Sequence, residues 1–207
     1  MVKLSILTPV WNQAELVILE LENLPRRDDI EVLVRDDGST DGTLENLYKY
    51  KEEHPDLNLT VYTNGENKGV AYTKNQLLSS MQGEYFHIHD SDDYVFTDEY
   101  SEAVDLLYNT DADVVTFDLE INSGRILRLN EANRAGYCAQ IGRFIRKDFV
   151  DKHDIRFPED IRAGDDLFFN NDCIKHGAKH LYSGIIAYHY NYPREGSLFD
   201  LQTKGLI

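Results

Sequence analysis

Residues 85–94 read YFHIHDSDDY and combine a strand-like run with an acidic turn. Apolar and polar side chains alternate from Tyr85 to His89, which predicts a β-strand. The strand delivers Asp90, Asp92 and Asp93 into one turn, where ionised carboxylates repel one another. Such a turn is stable if it faces water or holds a cation, and ligands that are all oxygen favour Mg²⁺, Mn²⁺ or Ca²⁺. The turn alone is compatible with both a solvated loop and a metal site.

Upstream of this turn, short apolar runs alternate with helical patterns. Strands are predicted at residues 3–8, 30–34, 57–62 and 85–89, and helices at 12–24, 43–50 and 70–81. This alternation predicts a parallel sheet with right-handed crossovers. Ligands in such sheets bind beyond the carboxyl ends of the strands. Three loops are therefore expected to meet there, at residues 8–12, 36–39 and 89–93.

The second half of the chain changes pattern. A helix is predicted over residues 98–109, followed by strands at 113–121 and 125–129 joined by Asn122-Ser123-Gly124. Residues 135–149 begin irregularly and end helically, 164–176 form a helix, and 183–192 form a last strand. We predict an α/β fold in one domain over residues 1–207, with a mostly parallel central sheet flanked by helices and a smaller antiparallel element in the C-terminal half.

The charge is distributed unevenly. The net charge of the 207 residues is −16, and residues 28–120 alone carry 23 acids and 5 bases. This acidic block disfavours nucleic acid as an acceptor or partner, because binding nucleic acid requires a surface that neutralises phosphates. Residues 121–163 carry 9 bases and 6 acids, which suits either a solvated face or contact with an anionic partner.

The cysteines and the first residues of the chain indicate the cellular compartment. Cys138 and Cys173 lie far apart and no Cys/His cluster suggests zinc, so we expect a reducing, cytoplasmic setting. The chain opens directly with a strand-like run, which predicts no signal peptide. No apolar stretch approaches the roughly 20 residues of a membrane span.

The loop that starts at Asp36 has three possible interpretations. Counted from Asp37 it resembles a calcium loop, but Tyr48 stands where an EF-hand needs a bidentate Glu, and its flanks are strand and helix. No G-x-G-x-x-G follows the first strand, which opposes a dinucleotide fold. A turn that meets a base or ribose remains, with Ser39 or Asp41 capping the next helix.

Two further features have both structural and functional interpretations. Asp165 and Asp166 begin a predicted helix, where acids complement the helix dipole, but the second acid could also point into a cleft as a general base. His189 lies in a Tyr-rich strand, either as a cross-strand histidine or as a metal ligand. His87 and His89 alternate on the fourth strand and are expected to pack or hydrogen-bond on one face.

Together these motifs resemble the family-2 glycosyltransferases, which are inverting, metal-dependent enzymes of the GT-A (Rossmann-like) fold. The matching segments occur in the family's order and span residues 3 to about 198. They are Ser5–Asn12, Val34–Thr43, Asn67–Ala71 with Lys74 and Asn75, His89–Tyr94, Ile155–Glu159, Gly164–Phe169, and Tyr190 with Arg194–Leu198.

The resemblance implies a donor half at about residues 1–97 and an acceptor half at about 98–207. Asp36, together with Asp37, meets the base in this scheme, and Lys74 lies near the diphosphate. The residues that bind the nucleotide sugar are implied to be Thr8, Pro9, Asn12, Asp36, Asp37, Ser39, Gly69, Lys74, Asp90 and Ser91.

The resemblance also implies the roles of the acidic residues. Asp90 and Asp92 match the Asp-x-Asp that holds the ribose and Mn²⁺ or Mg²⁺, with Asp92 as the direct ligand and Asp90 as a second. Independently of the resemblance, His189 is a further candidate because histidine is a common metal ligand. Asp93 has no assigned role beyond capping the turn. Asp166 matches the acid that deprotonates the acceptor hydroxyl, and Asp165 stands where the family usually has Glu.

The expected activity is transfer of a sugar from a nucleoside-diphosphate donor, most simply UDP-linked, to a hydroxyl of a glycan or another acceptor. Two alternatives use the same pocket: a nucleotidyltransferase and a sugar-nucleotide binder without transfer activity. The loop after the first strand, residues 8–13, lacks Gly and Lys, which counts against the nucleotidyltransferase. A calcium-binding module is opposed by the parallel α/β pattern and by Tyr48.

Overall fold

The computed structural model describes residues 1–131, 140–161 and 164–193. The strands in these ranges are β1 (Leu4–Val10), β2 (Ile30–Asp36), β3 (Leu59–Thr63), β4 (Tyr85–Ile88), β5 (Tyr94–Val95), β6 (Val114–Ile121), β7 (Ile126–Leu127), β8 (Arg143–Arg146) and β9 (His180–Tyr190). The helices are α1 (Leu16–Asn23), α2 (Thr43–Glu53), α3 (Val70–Ser80), α4 (Thr97–Asp105), α5 (Lys147–Lys152) and α6 (Asp165–Lys175).

All described strands belong to one mixed sheet. Its order is β3-β2-β1-β4-β8-β6-β9-β5, and β7 pairs with β6 at the side. Strands β3, β2, β1 and β4 are parallel, as the βα alternation predicts, whereas β8 runs antiparallel to both β4 and β6. The predicted fold class is confirmed: a mostly parallel α/β sheet with a smaller antiparallel part in the C-terminal half.

Two apolar layers cover the two faces of the sheet. Helices α1, α2 and α4 pack on one face through residues such as Leu21, Leu47 and Val104. Helices α3, α5 and α6 pack on the other through residues such as Leu77, Val150 and Phe169. Because β1 and β2 carry buried side chains on both faces, they form the centre of the core, and their carboxyl ends open toward one edge.

The first helix begins later than the apolar pattern predicts. It starts at Leu16, and Asn12 adopts a left-handed backbone with φ 51°. The amides of Gln13 and Ala14 are bound by side chains of the next loop, Thr43 Oγ1 at 3.0 Å and Asp41 Oδ2 at 3.2 Å. These long-range bonds satisfy amides ahead of the helix that have no partner within it, and they hold residues 12–14 outside the helix.

Two short strands were not predicted. Strand β8 occupies the second part of the segment expected to run from irregular to helical, and β5 is a two-residue edge strand paired with β9. Strand β8 has only four residues with arginines at both ends, so its local pattern is not that of a buried strand. Its pairing with β4 and β6 places Ile145 opposite Phe86 and Val114, and tertiary context therefore overrides local propensity.

In the described ranges, the helices are all too short or too polar to cross a lipid bilayer. The matching segment Arg194–Leu198 and the cysteine Cys138 lie outside these ranges.

Gly38 brings two loops of the carboxyl edge into direct backbone contact. Its φ is +73°, and a Cβ built on it would lie 2.5 Å from the carbonyl carbon of Glu66 and 2.7 Å from the amide nitrogen of Asn67. Gly124, in the β6–β7 turn, has a similar φ of +75° but open space around the same position. Both glycines therefore adopt a left-handed backbone, but only Gly38 has no room for a side chain.

We predict that Gly38→Ala destabilises the fold by about 1–3 kcal/mol more than Gly124→Ala, because only the first inserts a methyl group into packed backbone. Gly124→Ala should cost about 1 kcal/mol, as expected for a left-handed backbone position. Urea denaturation of both variants measures the difference. Equal losses would show that the contact between the two loops is loose.

Candidate active site

The loops that follow β1 and β2 are bound to each other by hydrogen bonds. The Asn12 amide donates to Ser39 Oγ at 2.9 Å, and the Thr40 amide donates to Asn12 Oδ1 at 2.9 Å. The Asp37 amide donates to the Val10 carbonyl at 2.8 Å. Asn12 and Ser39, both predicted to bind the nucleotide sugar, are thus brought together at the carboxyl edge of the sheet.

Asp36 and Asp37 are buried, and groups of the protein itself already bind their carboxylates. Asp36 accepts the amides of Gly38 at 3.1 Å and Ser39 at 3.2 Å. Asp37 accepts the Gly69 amide at 2.9 Å, and the Lys68 amide and Asn64 Nδ2 at 2.8 Å. Both aspartates therefore shape the loops, and contact with a base stays a prediction.

Thr8 and Pro9 differ in where they point. Pro9 is partly exposed at the edge, whereas the side chain of Thr8 is fully buried and donates a 2.8 Å hydrogen bond to Glu20 Oε1. Thr8 lies on the same face of β1 as the core residues Leu4 and Ile6. Because side chains alternate along a strand, the sequence could have predicted that the Thr8 side chain is buried. Glu20 had not been singled out from the sequence.

The turn after β4 is anchored to β9. Asp93 is buried, and its carboxylate accepts the Tyr188 hydroxyl and the Asn191 amide, each at 2.8 Å. The Asp92 carbonyl accepts Asn191 Nδ2 at 3.2 Å. Asp93 therefore ties the turn to the second half of the chain, a larger role than the expected cap. Ser91 is buried, and Asp90 and Asp92 are partly exposed.

Lys74 lies between the acidic turn and the start of α6. Its Nζ is 2.7 Å from Asp165 Oδ2, and both side chains are buried. Burial lowers the pKa of Lys74, but the carboxylates of Asp165, Asp90 and Asp166 outweigh this effect and bring the pKa above its ordinary value. Lys74 is thus a fixed cation inside an acidic cluster, and its predicted contact with a diphosphate is untested.

The pKa of Asp90 responds to burial and to the neighbouring charges of this cluster. Burial raises its pKa to about 7, and repulsion from Asp92, Asp166 and Asp165 acts in the same direction, while Lys74 opposes it. A bound divalent cation would relieve this repulsion, since carboxylate oxygens are the ligands that Mg²⁺ and Mn²⁺ prefer. The donor chemistry of Asp90 and Asp92 therefore fits the predicted cation.

The structure separates the roles of Asp165 and Asp166. Gly164 precedes them with φ 84°, and both acids lie in the first turn of α6. Asp165 is buried against Lys74, whereas Asp166 is partly exposed and its Oδ1 accepts the amide of Leu167 at 2.8 Å. Of the two acids, Asp166 is the one that an incoming hydroxyl could reach.

His189 lies on β9 between Tyr94 of the edge strand β5 and Glu120 of β6, and its side chain has partners on both neighbouring elements. Its Nε2 is 2.9 Å from Asn122 Oδ1, and its ring stacks on Tyr94 at 4.4 Å between centroids. In the part of the chain that the structure describes, no three His, Cys, Asp or Glu side chains form a metal-binding group, so His189 is not gathered with Asp90 and Asp92. The cross-strand interpretation of His189 fits this geometry.

The two histidines of β4 share a face, as expected. The His87 and His89 rings lie 5.4 Å apart, and His87 Nδ1 is 2.8 Å from the Tyr100 hydroxyl. They form part of the buried layer beneath the acidic turn.

Sequence comparison identifies the family. The profile described as "Glycosyl transferase family 2" matches residues 5–177. The chain belongs to glycosyl transferase family 2. Family-2 members with related sequences include the poly(ribitol-phosphate) beta-N-acetylglucosaminyltransferase TarS of Staphylococcus aureus, 27% identical over 95% of this chain and 36% of that protein. A poly(ribitol-phosphate) beta-glucosyltransferase of Bacillus spizizenii is 23% identical over 94% of this chain and 33% of its own length.

Solved structures agree with the family-2 assignment. A crystal structure of S. aureus TarS residues 1–349 in complex with UDP-GlcNAc superposes with a TM-score of 0.79 at 26% identity, covering 94% of this chain and 59% of that one. The mannosyltransferase PcManGT of Pyrobaculum calidifontis, in complex with GDP-Man and Mn²⁺, shares the fold with a TM-score of 0.70 at 22% identity, covering 94% and 58%. The chain spans about a third of the length of the curated relatives above.

We predict that Lys74→Met destabilises the fold by about 3–5 kcal/mol, because it leaves Asp165 as a buried charge without its partner. The double variant Lys74→Met/Asp165→Leu should recover most of this loss. Lys179→Met, which breaks the exposed pair with Asp111, is the control and should cost less than about 1 kcal/mol. Chemical denaturation compares the three, and equal losses for Lys74→Met and Lys179→Met would contradict the prediction.

Proposed function

We propose that this chain is an inverting glycosyltransferase domain that moves a sugar from a UDP-linked donor to a hydroxyl of a glycan. The observation that carries the proposal is the convergence of the Asp90–Asp92 turn and Asp166 around Lys74 at the carboxyl edge of the sheet. The two relatives named above transfer sugars onto poly(ribitol-phosphate), and the TarS structure contains UDP-GlcNAc. Their names support a UDP-sugar as donor and a polyol-phosphate polymer as acceptor class.

The proposed reaction is one displacement at the anomeric carbon. The acceptor oxygen forms a bond to this carbon while the bond to the diphosphate oxygen breaks, and Asp166 accepts the hydroxyl proton. Asp90 and Asp92 would hold Mn²⁺ or Mg²⁺ together with the diphosphate, with Asp92 as the direct ligand. When bound, the cation neutralises charge on the departing nucleoside diphosphate. The beta linkage in the relatives' names agrees with inversion if the sugar of the donor is alpha-linked to UDP.

The chain's own residues would bind and orient the donor. The loops of Pro9, Asn12 and Ser39 form the proposed base and ribose side, and the rigid hydrogen bonding of Asp36 and Asp37 fixes their shape. Gly69 lies at the start of α3, above the same edge. A donor half near residues 1–97, an acceptor half near 98–207 and a cytoplasmic location belong to this proposal.

We predict Mn²⁺-dependent binding of UDP-GlcNAc or UDP-glucose by the purified chain. At a concentration of about 100 times Kd, a donor that binds the folded state stabilises it by about 2.7 kcal/mol. Thermal unfolding with each UDP-sugar, with and without Mn²⁺, measures this effect, and GDP-mannose is the control. Stabilisation without hydrolysis or transfer to poly(ribitol-phosphate) would identify a catalytically silent binder, and no response to any sugar nucleotide would refute the proposal.

We predict that Asp166→Asn lowers kcat by about 10²–10⁴-fold, because the amide cannot accept the hydroxyl proton. Asp172→Asn, two turns along the same helix and paired with Lys175 at the surface, is the matched control and should keep its activity. Transfer rates at saturating donor compare the two variants. Full activity of Asp166→Asn would remove Asp166 from the mechanism.

A further inference from the structure

Glu20 is a carboxylic acid buried in the core directly behind the acidic turn. It lies on the sheet-facing side of α1 beside Val17 and Leu21, and its side chain has no exposed surface. Burial of a carboxyl group is costly unless hydrogen bonds or charges compensate it. Its contacts therefore indicate what it does in the fold.

Glu20 contacts residues near the carboxyl ends of β1 and β4, the two strands next to the site. Its Oε1 accepts the Thr8 hydroxyl at 2.8 Å and lies 3.4 Å from His89 Nδ1. Its Oε2 has no hydrogen-bond partner among the described residues. Thr8 and His89 lie side by side on β1 and just after β4, since the His89 amide donates to the Leu7 carbonyl at 3.0 Å.

His89 lies between Glu20 and the acidic turn. Its Nδ1 is 3.0 Å from the carbonyl oxygen of Asp90, the next residue, and its ring packs on Tyr188 at 5.0 Å. The Tyr188 hydroxyl in turn accepts the Asp90 amide at 3.4 Å. The peptide groups on both sides of Asp90 are thus held from the core, one by His89 and one by Tyr188.

Glu20 is close enough to the turn to be affected by its charge. Burial raises the pKa of Glu20 well above its ordinary value; the Thr8 hydroxyl opposes this, and the carboxylates of Asp90 and Asp92 add to it. The described contacts of Glu20 include no lysine or arginine. A neutral carboxyl group that accepts from Thr8 is consistent with this setting.

We propose that Glu20 is a positioning residue for the acidic turn. It accepts the Thr8 hydroxyl and packs against the His89 ring from the core side, and so positions the backbone of Asp90. Cation binding at the turn then depends on a residue that touches neither cation nor substrate. This inference rests on the proposed function insofar as the turn binds a divalent cation. Partners that orient metal ligands commonly change affinity by about 10–100-fold when they are removed.

The test measures Mn²⁺ binding by electron paramagnetic resonance, with and without UDP, together with thermal unfolding of each variant. Glu20→Leu removes the acceptor and should weaken Mn²⁺ binding about tenfold. Thermal unfolding confirms that the variant is folded under the conditions of the binding measurement. Glu20→Gln keeps an acceptor for Thr8 and should bind Mn²⁺ like the wild type. Glu22→Leu, at an exposed position of the same helix, is the control for replacing a helix carboxyl group by leucine and should bind Mn²⁺ like the wild type.

Thr8→Val provides a second, nearly isosteric variant that removes the same hydrogen bond from the other side. It should weaken Mn²⁺ binding to a similar extent, and the double variant Thr8→Val/Glu20→Leu should lose little more than either single one, since both act through one contact. Additive losses would overturn the proposal.

Three further results would also overturn it. They are Mn²⁺ binding by Glu20→Leu within twofold of the wild type, equal weakening in Glu20→Gln and Glu20→Leu, and no Mn²⁺ binding by the wild-type chain with or without UDP. If the expected pattern appears and the chain transfers no sugar, the positioning role of Glu20 stands and the proposed function falls.

Discussion

Repulsion between carboxylates at the carboxyl edge of the sheet is the constraint on which the site depends. The carboxylates of Asp90 and Asp92 and those of Asp165 and Asp166 at the start of α6 repel one another there. Lys74 supplies the positive charge within the described cluster. Two unit charges 4 Å apart interact by about 4 kcal/mol at an effective dielectric constant of about 20. A domain is stable by only about 5–15 kcal/mol in total, so the placement of each charge matters for folding as well as for binding. The buried contact between Lys74 and Asp165 joins α3 to α6 and thereby fixes the distance between the turn and Asp166.

A second constraint acts from inside the core. The acidic turn does not face solvent alone, because it lies on a buried polar layer. Asp93 accepts the Tyr188 hydroxyl, and Glu20 reaches the same turn through His89. The layer connects β1, β4, β9 and α1, which come from both halves of the chain. The position of the turn is therefore a property of the whole sheet and not of its local sequence.

Local sequence accounts for the parts of the fold whose signals lie within a dozen residues. Strands β1 to β4 and the helices between them could be predicted because each carries a periodic apolar pattern, and their parallel order then places three loops at one edge. Strand β8 could not, since its four residues become a strand only by pairing with β4 and β6. The site divides in the same way: the acids of the turn are visible in sequence, whereas the ion pair of Lys74 with Asp165 joins residues 91 positions apart. Helical spacing places Glu20 on the apolar stripe with Val17 and Leu24, but nothing in the sequence indicates that its partner is Thr8.

The acidity of the site also has a consequence for how an anionic donor could be accepted. Asp90, Asp92, Asp165 and Asp166 outnumber the one described lysine of the cluster, so a diphosphate approaching these groups alone would meet like charge. Protonation of one carboxyl group would reduce this repulsion in part. Burial and the neighbouring carboxylates raise the pKa of Asp90 to about 7 and so disfavour its ionised form. A divalent cation would reduce the repulsion further, because it offsets the negative charge of the carboxylates and of the phosphates at the same time. The proposed donor and cation would therefore relieve the same repulsion together. The contact with Lys74 keeps Asp165 buried, and Asp166 is the more exposed of the two acids.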